Sequence, residues 1–213
     1  MTDPQTGQTK PKHFALFRQF HLADILTLGN AACGTAAIFA SISFVATRLR
    51  GFFLTGCALI LLALVFDVLD GRVARWRQKQ SLLGRELDSL SDVISFGVAP
   101  AVMAYTVGMN ALLDVPVLLY FVVCGVSRLA RFNVTAEELS AGGAKVKYFE
   151  GTPIPSSVLL VAFLAYSVAT RPWGATLPFG AVKLGALSFH PLVLLFALSG
   201  SLMISKSLRI PKW

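Results

Sequence analysis

Six apolar runs dominate this chain, each near the length of roughly 20 residues that an α-helix needs to cross a bilayer. They lie near 22–47, 51–77, 86–109, 111–132, 154–170 and 184–206. The chain has 213 residues, of which 55% are hydrophobic and only 14% charged. A soluble domain carries roughly 25% charged residues. The expectation is an all-α integral membrane bundle of six transmembrane helices, with residues 13–213 forming a single domain. Residues 1–12, with Pro4, Gly7 and Pro11, read as a disordered polar tail. Residues 13–21 mix Phe14, Leu16, Phe17 and Phe20 with His13, Arg18 and His21. They read either as a short interfacial helix or as the polar start of the first span. No clean small-x-small site follows the first run, so it reads as a span rather than a cleaved signal.

The net charge of +8 is consistent with binding nucleic acid or an anionic membrane surface. Its distribution favours the membrane, because Lys and Arg fall in short clusters between the apolar runs. With the N-terminus placed in the cytoplasm, only Arg48, Arg50, Arg171 and Lys183 fall outside, leaving 15 of the 19 basic residues inside. That asymmetry predicts both termini on the cytoplasmic side of an inner membrane. Cys33, Cys57 and Cys124 sit within apolar runs without metal-binding spacing and read as buried, inert thiols. His13, His21 and His190 show no ligand spacing either, and Trp76, Trp173 and Trp213 fall near span ends, where interfacial anchoring is expected.

Against this background four carboxylates stand out. Asp67 and Asp70 are three residues apart, and Asp88 and Asp92 four apart, so each pair shares one helix face. The second and third spans are consecutive and antiparallel, which lets the two faces converge at the cytoplasmic end. Charges in such surroundings are costly and read as functional. Without cations their mutual repulsion would be severe. An all-oxygen set suits Mg²⁺ or Mn²⁺, with Ca²⁺ admissible, and disfavours a zinc-type site. Gly71, Ala74 and Gly84 leave backbone open to a bulky ligand, and Arg75 can point a cation at a phosphate. Any one of these small residues could equally serve close helix packing. Asn30, polar within the first span, reads as facing the same cavity or as an ordinary interhelical hydrogen-bonding residue.

The full spacing, Asp67-x2-Asp70-Gly71-x2-Ala74-Arg75-x8-Gly84-x3-Asp88-x3-Asp92, resembles the motif of the CDP-alcohol phosphotransferase (CDP-alcohol phosphatidyltransferase) family at every fixed position. Within that family the run Glu86–Ala101, the run Arg128–Asn133 and the run Tyr148–Pro155 look like phosphatidylserine synthases. Thr152 departs from the Gly-Leu-Pro more usual there. The resemblance implies a six-helix membrane enzyme, a homodimer, whose site opens to the cytoplasm. It implies transfer of a phosphatidyl group from CDP-diacylglycerol to the hydroxyl of L-serine, with CMP released and two divalent metal ions assisting. It further implies Asp67, Asp70, Asp88 and Asp92 as metal ligands, with Asp92 also the general base. Asp67, Gly71, Ala74, Arg75, Gly84 and Asp88 become nucleotide-binding positions. Arg128, Arg131 and Asn133 are candidates for holding the acceptor or a lipid phosphate, and for the two arginines the competing reading is positive-inside anchoring. Glu150 could meet an acceptor ammonium or remain a solvated loop charge. Other readings are another acceptor alcohol (inositol phosphate, glycerol phosphate or choline), an intramembrane prenyltransferase, or a transporter with intramembrane acids. Neither of the last two calls for Gly71, Ala74, Arg75 and Gly84 at this spacing.

Overall fold

The structure is a computed structural model that describes residues 22–76, 82–142, 148–170, 177–184, 187–205 and 209–211. The N-terminal tail, the candidate interfacial helix, Trp173 and Trp213 lie outside the described residues. Helix α1 (Leu22–Thr47) is followed after two residues by α2 (Arg50–Trp76). The turn between them is short because Arg48 takes φ 60 while its N–H still reaches the Phe44 carbonyl at 2.8 Å, closing α1 in a left-handed cap. The two helices therefore run antiparallel and pack along their length.

The third span is one helix in three pieces: α3 (Leu82–Asp92), a π-helical segment (Val93–Val98) and α4 (Ala99–Thr106). Pro100 has no N–H, and its ring crowds the carbonyl one turn earlier. The helix widens just before it, with the Ala99 N–H bonding the Ile94 carbonyl five residues back. The long helix α5 (Asp114–Gly142) follows. A 3-10 turn (Ile154–Ser157) leads into α6 (Val158–Thr170), and α7 (Val193–Ile204) closes the bundle against α5. Two short antiparallel pairs complete it, β1 (Tyr148–Glu150) with β4 (Arg209–Pro211) and β2 (Val182–Leu184) with β3 (Leu187–Phe189).

The helical class expected from sequence holds, and among the described residues four helices are long and apolar enough to cross a membrane: Ala23–Thr47, Arg50–Val73, Leu83–Thr106 and Asp114–Thr135. Ile154–Thr170 and Val193–Ile204 are apolar but shorter. Two boundaries differ from expectation. The last apolar run was expected as a helix from 184, but 187–192 holds strand β3 and a turn. Pro191 biases its predecessor away from helix, so α7 starts only at Val193. Residues 133–142, beyond the fourth apolar run, continue α5. Ala136, Glu137, Glu138 and Leu139 are strong helix formers even though the segment is not apolar.

The core is built from Phe53, Phe96, Phe121, Phe196, Ile60 and Met103, all fully buried. Phe121 of α5 and Phe196 of α7 meet edge to face with centroids 5.3 Å apart. Ile25, Phe39, Leu61, Leu119, Leu159 and Leu198 point outward, as lipid-facing side chains should. Gly151, at φ +75, lies against the end of α7, where a Cβ would come 2.9 Å from the Met203 carbonyl carbon. Only glycine fits that close left-handed position, and it sets the 3-10 turn beside the π segment.

Candidate active site

Helices α2 and α3 bring their aspartates together as the spacing predicts. One carboxylate oxygen from each of Asp67, Asp70 and Asp88 falls within 4.8 Å of the others. Asp92 is buried one turn further along α3, within electrostatic range of Asp67, Asp88 and Asp70. Asp70 is also buried, while Asp67 and Asp88 are partly exposed at the mouth. Among the described residues no Lys or Arg forms an ion pair with any of the four. The Asp88 Oδ1 atom is buried with no hydrogen-bond partner among them. Crowded hard oxygens with an orphaned carboxylate atom fit a divalent cation of the Mg²⁺ or Mn²⁺ kind.

Helix α1 carries none of the motif residues, yet it lines the site. The Thr27 hydroxyl donates to Asp70 Oδ2 at 2.7 Å. The Asn30 side-chain amide donates to Asp92 Oδ1 at 3.3 Å, and its own Oδ1 is buried without a partner among the described residues. The Ser95 hydroxyl, in the π segment, donates to the Asn30 backbone carbonyl at 2.9 Å. Buried Asp24, one turn before Thr27, is within electrostatic range of Asp70. Of the two readings offered for Asn30, the structure places it in the carboxylate cluster. Thr27, Asp24 and Ser95 escaped the sequence reading. The signal was present in Asp24, Thr27 and Asn30, polar residues at intervals of three along one face of an apolar helix.

The other expected residues divide. Gly71 is next to Asp70, and a Cβ there would meet nothing within 4 Å, so its surroundings are open to a ligand. Gly84 lies on α3 one turn before Asp88. Ala74 and Arg75 stand on the last turns of α2, and their side chains lie outside the described residues. Arg128, on α5, is partly buried and within electrostatic range of Asp92. Arg131 is partly buried one turn beyond. The Asn133 amide donates to the Ser89 hydroxyl at 2.9 Å, tying α5 to α3, and its Oδ1 is buried without a partner among the described residues. The Glu150 side chain lies outside the described residues.

A family model for CDP-alcohol phosphatidyltransferases matches residues 20–198, which takes in every one of these positions. The chain belongs to that family. It is 44% identical over 214 residues to a Saccharomyces cerevisiae protein named CDP-diacylglycerol–serine O-phosphatidyltransferase, covering 99% of this chain and 78% of that one. It is 40% identical over 144 residues to an archaetidylserine synthase of Methanothermobacter thermautotrophicus, covering 66% of this chain and 56% of that one. A Bacillus subtilis protein, also named CDP-diacylglycerol–serine O-phosphatidyltransferase, is 33% identical over 145 residues, 67% of this chain and 74% of its own.

Proposed function

We propose that this chain transfers the phosphatidyl group of CDP-diacylglycerol to the hydroxyl of L-serine, forming phosphatidylserine and CMP. The observation that carries the reading is the convergence of Asp67, Asp70 and Asp88 with the buried Asp92 beside them. The yeast and Bacillus relatives, both named for serine, support the choice of acceptor.

Asp67, Asp70 and Asp88, with Asp92 at their edge, would hold two divalent ions, Mg²⁺ or Mn²⁺. Bound there, such ions neutralise the diphosphate and the charge developing on CMP. Gly71, Ala74, Arg75 and Gly84 line the nucleotide, with room for it above Gly71. Asp92 accepts the proton of the serine hydroxyl. The serine oxygen then bonds to the phosphorus that bears diacylglycerol, the phosphoanhydride bond breaks, and CMP departs. A general base has to lie within hydrogen-bond reach of the attacking hydroxyl, and the burial of Asp92 beside Arg128 suits an acceptor that carries a carboxylate. Arg131, one turn beyond Arg128, and Asn133, bonded to Ser89 of α3, would add groups for the acceptor or a lipid phosphate.

The charge asymmetry supports six spans with both termini and the site on the cytoplasmic side of an inner membrane, and the family resemblance supports a homodimer. The test is metal-dependent CMP release by the purified chain in detergent, measured with serine, inositol phosphate, glycerol phosphate and choline. Release with serine alone is expected. Release only with another alcohol would overturn the acceptor, and no release with any would overturn the enzyme reading.

A further inference from the structure

Two of the four motif aspartates are bonded to a helix outside the motif. Each pair has one member tied to α1: Asp70 to Thr27 and Asp92 to Asn30. Thr27 and Asn30 are three residues apart, hence on one face of α1. We propose that α1 is the positioning element of the site, with Asn30 aiming the base Asp92 at the acceptor hydroxyl and Thr27 holding Asp70 in its metal-binding rotamer. This rests on the role assigned to Asp92 above.

Three features carry the assignment. First, a carboxylate only accepts hydrogen bonds, so the Asn30 amide must present its nitrogen to Asp92. That occupies Asp92 Oδ1 and leaves Oδ2 as the oxygen available to a substrate proton. Second, the arrangement is costly to the fold. Asn30 is fully buried, yet its Oδ1 has no partner among the described residues. An apolar side chain of similar volume would satisfy the packing of α1 on α3 without leaving that atom orphaned. A buried, half-satisfied amide calls for a purpose other than packing. Third, the backbone beneath it is clamped. Ser95, three residues after Asp92, donates to the Asn30 carbonyl, so side chain and main chain of Asn30 are both tied to the helix that carries the base. Gly34 permits the approach, since a Cβ there would come 2.7 Å from Ser95 Cα.

The full chain in phospholipid–detergent micelles is assayed for CMP release with Mn²⁺, CDP-diacylglycerol and serine, alongside thermal unfolding and direct Mn²⁺ binding by electron paramagnetic resonance. Asn30→Leu should lower kcat roughly a hundredfold, the usual size of a misaimed catalytic group. Its KM values should stay within about threefold and its Tm should be unchanged or raised. Asn30→Ala should show the same split between kcat and KM if leucine is not tolerated. Thr27→Val, nearly isosteric, should weaken Mn²⁺ binding by roughly tenfold, as loss of a ligand's hydrogen-bond partner does. A kcat within threefold of the parent in both Asn30 variants, or a kcat loss that tracks loss of Tm, would overturn the role of Asn30. Unchanged Mn²⁺ affinity in Thr27→Val would overturn that of Thr27. A parent that turns over another alcohol but not serine overturns the acceptor only, and the Asn30 variants are then compared with that alcohol.

Discussion

Two buried carboxylate sites sit at opposite ends of the bundle, and they are built on opposite principles. At the start of α5, Asp114 is fully buried and fully partnered. It accepts the His190 backbone N–H at 2.8 Å and the Ala111 N–H at 3.0 Å, and its Oδ2 lies 2.6 Å from His190 Nδ1. At the other end, Asp67, Asp70, Asp88 and Asp92 face one another, and Asp88 Oδ1 has no partner among the described residues. The first site ties the 107–113 connection to the approach of α7 and leaves nothing for a ligand to do. The second is held together against its own repulsion, so its stability in isolation is poor and its capacity for cations and phosphate is high. A satisfied buried acid supports the fold, whereas an unsatisfied cluster supports chemistry.

That contrast can be broken most sharply at Asp92. Asp92→Asn should cut kcat for CMP release by roughly 10³-fold, while Tm holds or rises because a repelling charge is gone. A fall in Tm together with near-parental turnover would assign Asp92 to the structural class instead. Next in size, Asp88→Asn should weaken Mn²⁺ binding by more than the roughly tenfold expected for a partner outside the ligand set, measured by equilibrium titration, again with no loss of Tm.

Gly34→Ala lies between the two classes. Its Cβ would collide with Ser95, backbone included, at a cost of about 1–3 kcal/mol. Because Ser95 anchors Asn30, both Tm and kcat should fall together. At the opposite end, Asp114→Ala should cost about 1–3 kcal/mol of stability by stranding buried donors. Its kcat per folded molecule and its Mn²⁺ affinity should match the parent, and a changed kcat would merge the two sites into one. The smallest effect is expected at Gly71→Ala. Its methyl meets no protein atom within 4 Å, so Tm should hold, while a nucleotide resting there should bind a few-fold more weakly, by about 1 kcal/mol.

Much of the site could be read in advance because helical spacing is a rigid rule. Asp67 with Asp70 and Asp88 with Asp92 could only share faces once their segments were helical, and consecutive antiparallel helices bring those faces together. What went unread came from long-range packing. Nothing local to Thr27 says that it meets Asp70, 43 residues away. Ser95 reaches Asn30 only because Gly34 permits close approach. Fold boundaries failed where hydropathy was used as a proxy for helix. Residues 133–142 are polar but helical, and 184–192 is apolar but ends in a proline-directed turn. Hydropathy reports the solvent a segment tolerates, and helix formation depends as well on backbone freedom and side-chain entropy.

From residues alone came the helical membrane class, the four aspartates as two facing pairs, and the family, because apolar length, charge distribution and fixed spacing along one chain are local properties. Packing of the helices added the helix that orients them. Whether Asn30 tied two helices together or served the site depended on which carboxylate its amide met, and whether Asp114 was a spare acid or a finished structural site depended on His190, 76 residues away. Those are distances between segments remote in the chain, and only the folded packing of α1, α3, α5 and the approach to α7 sets them.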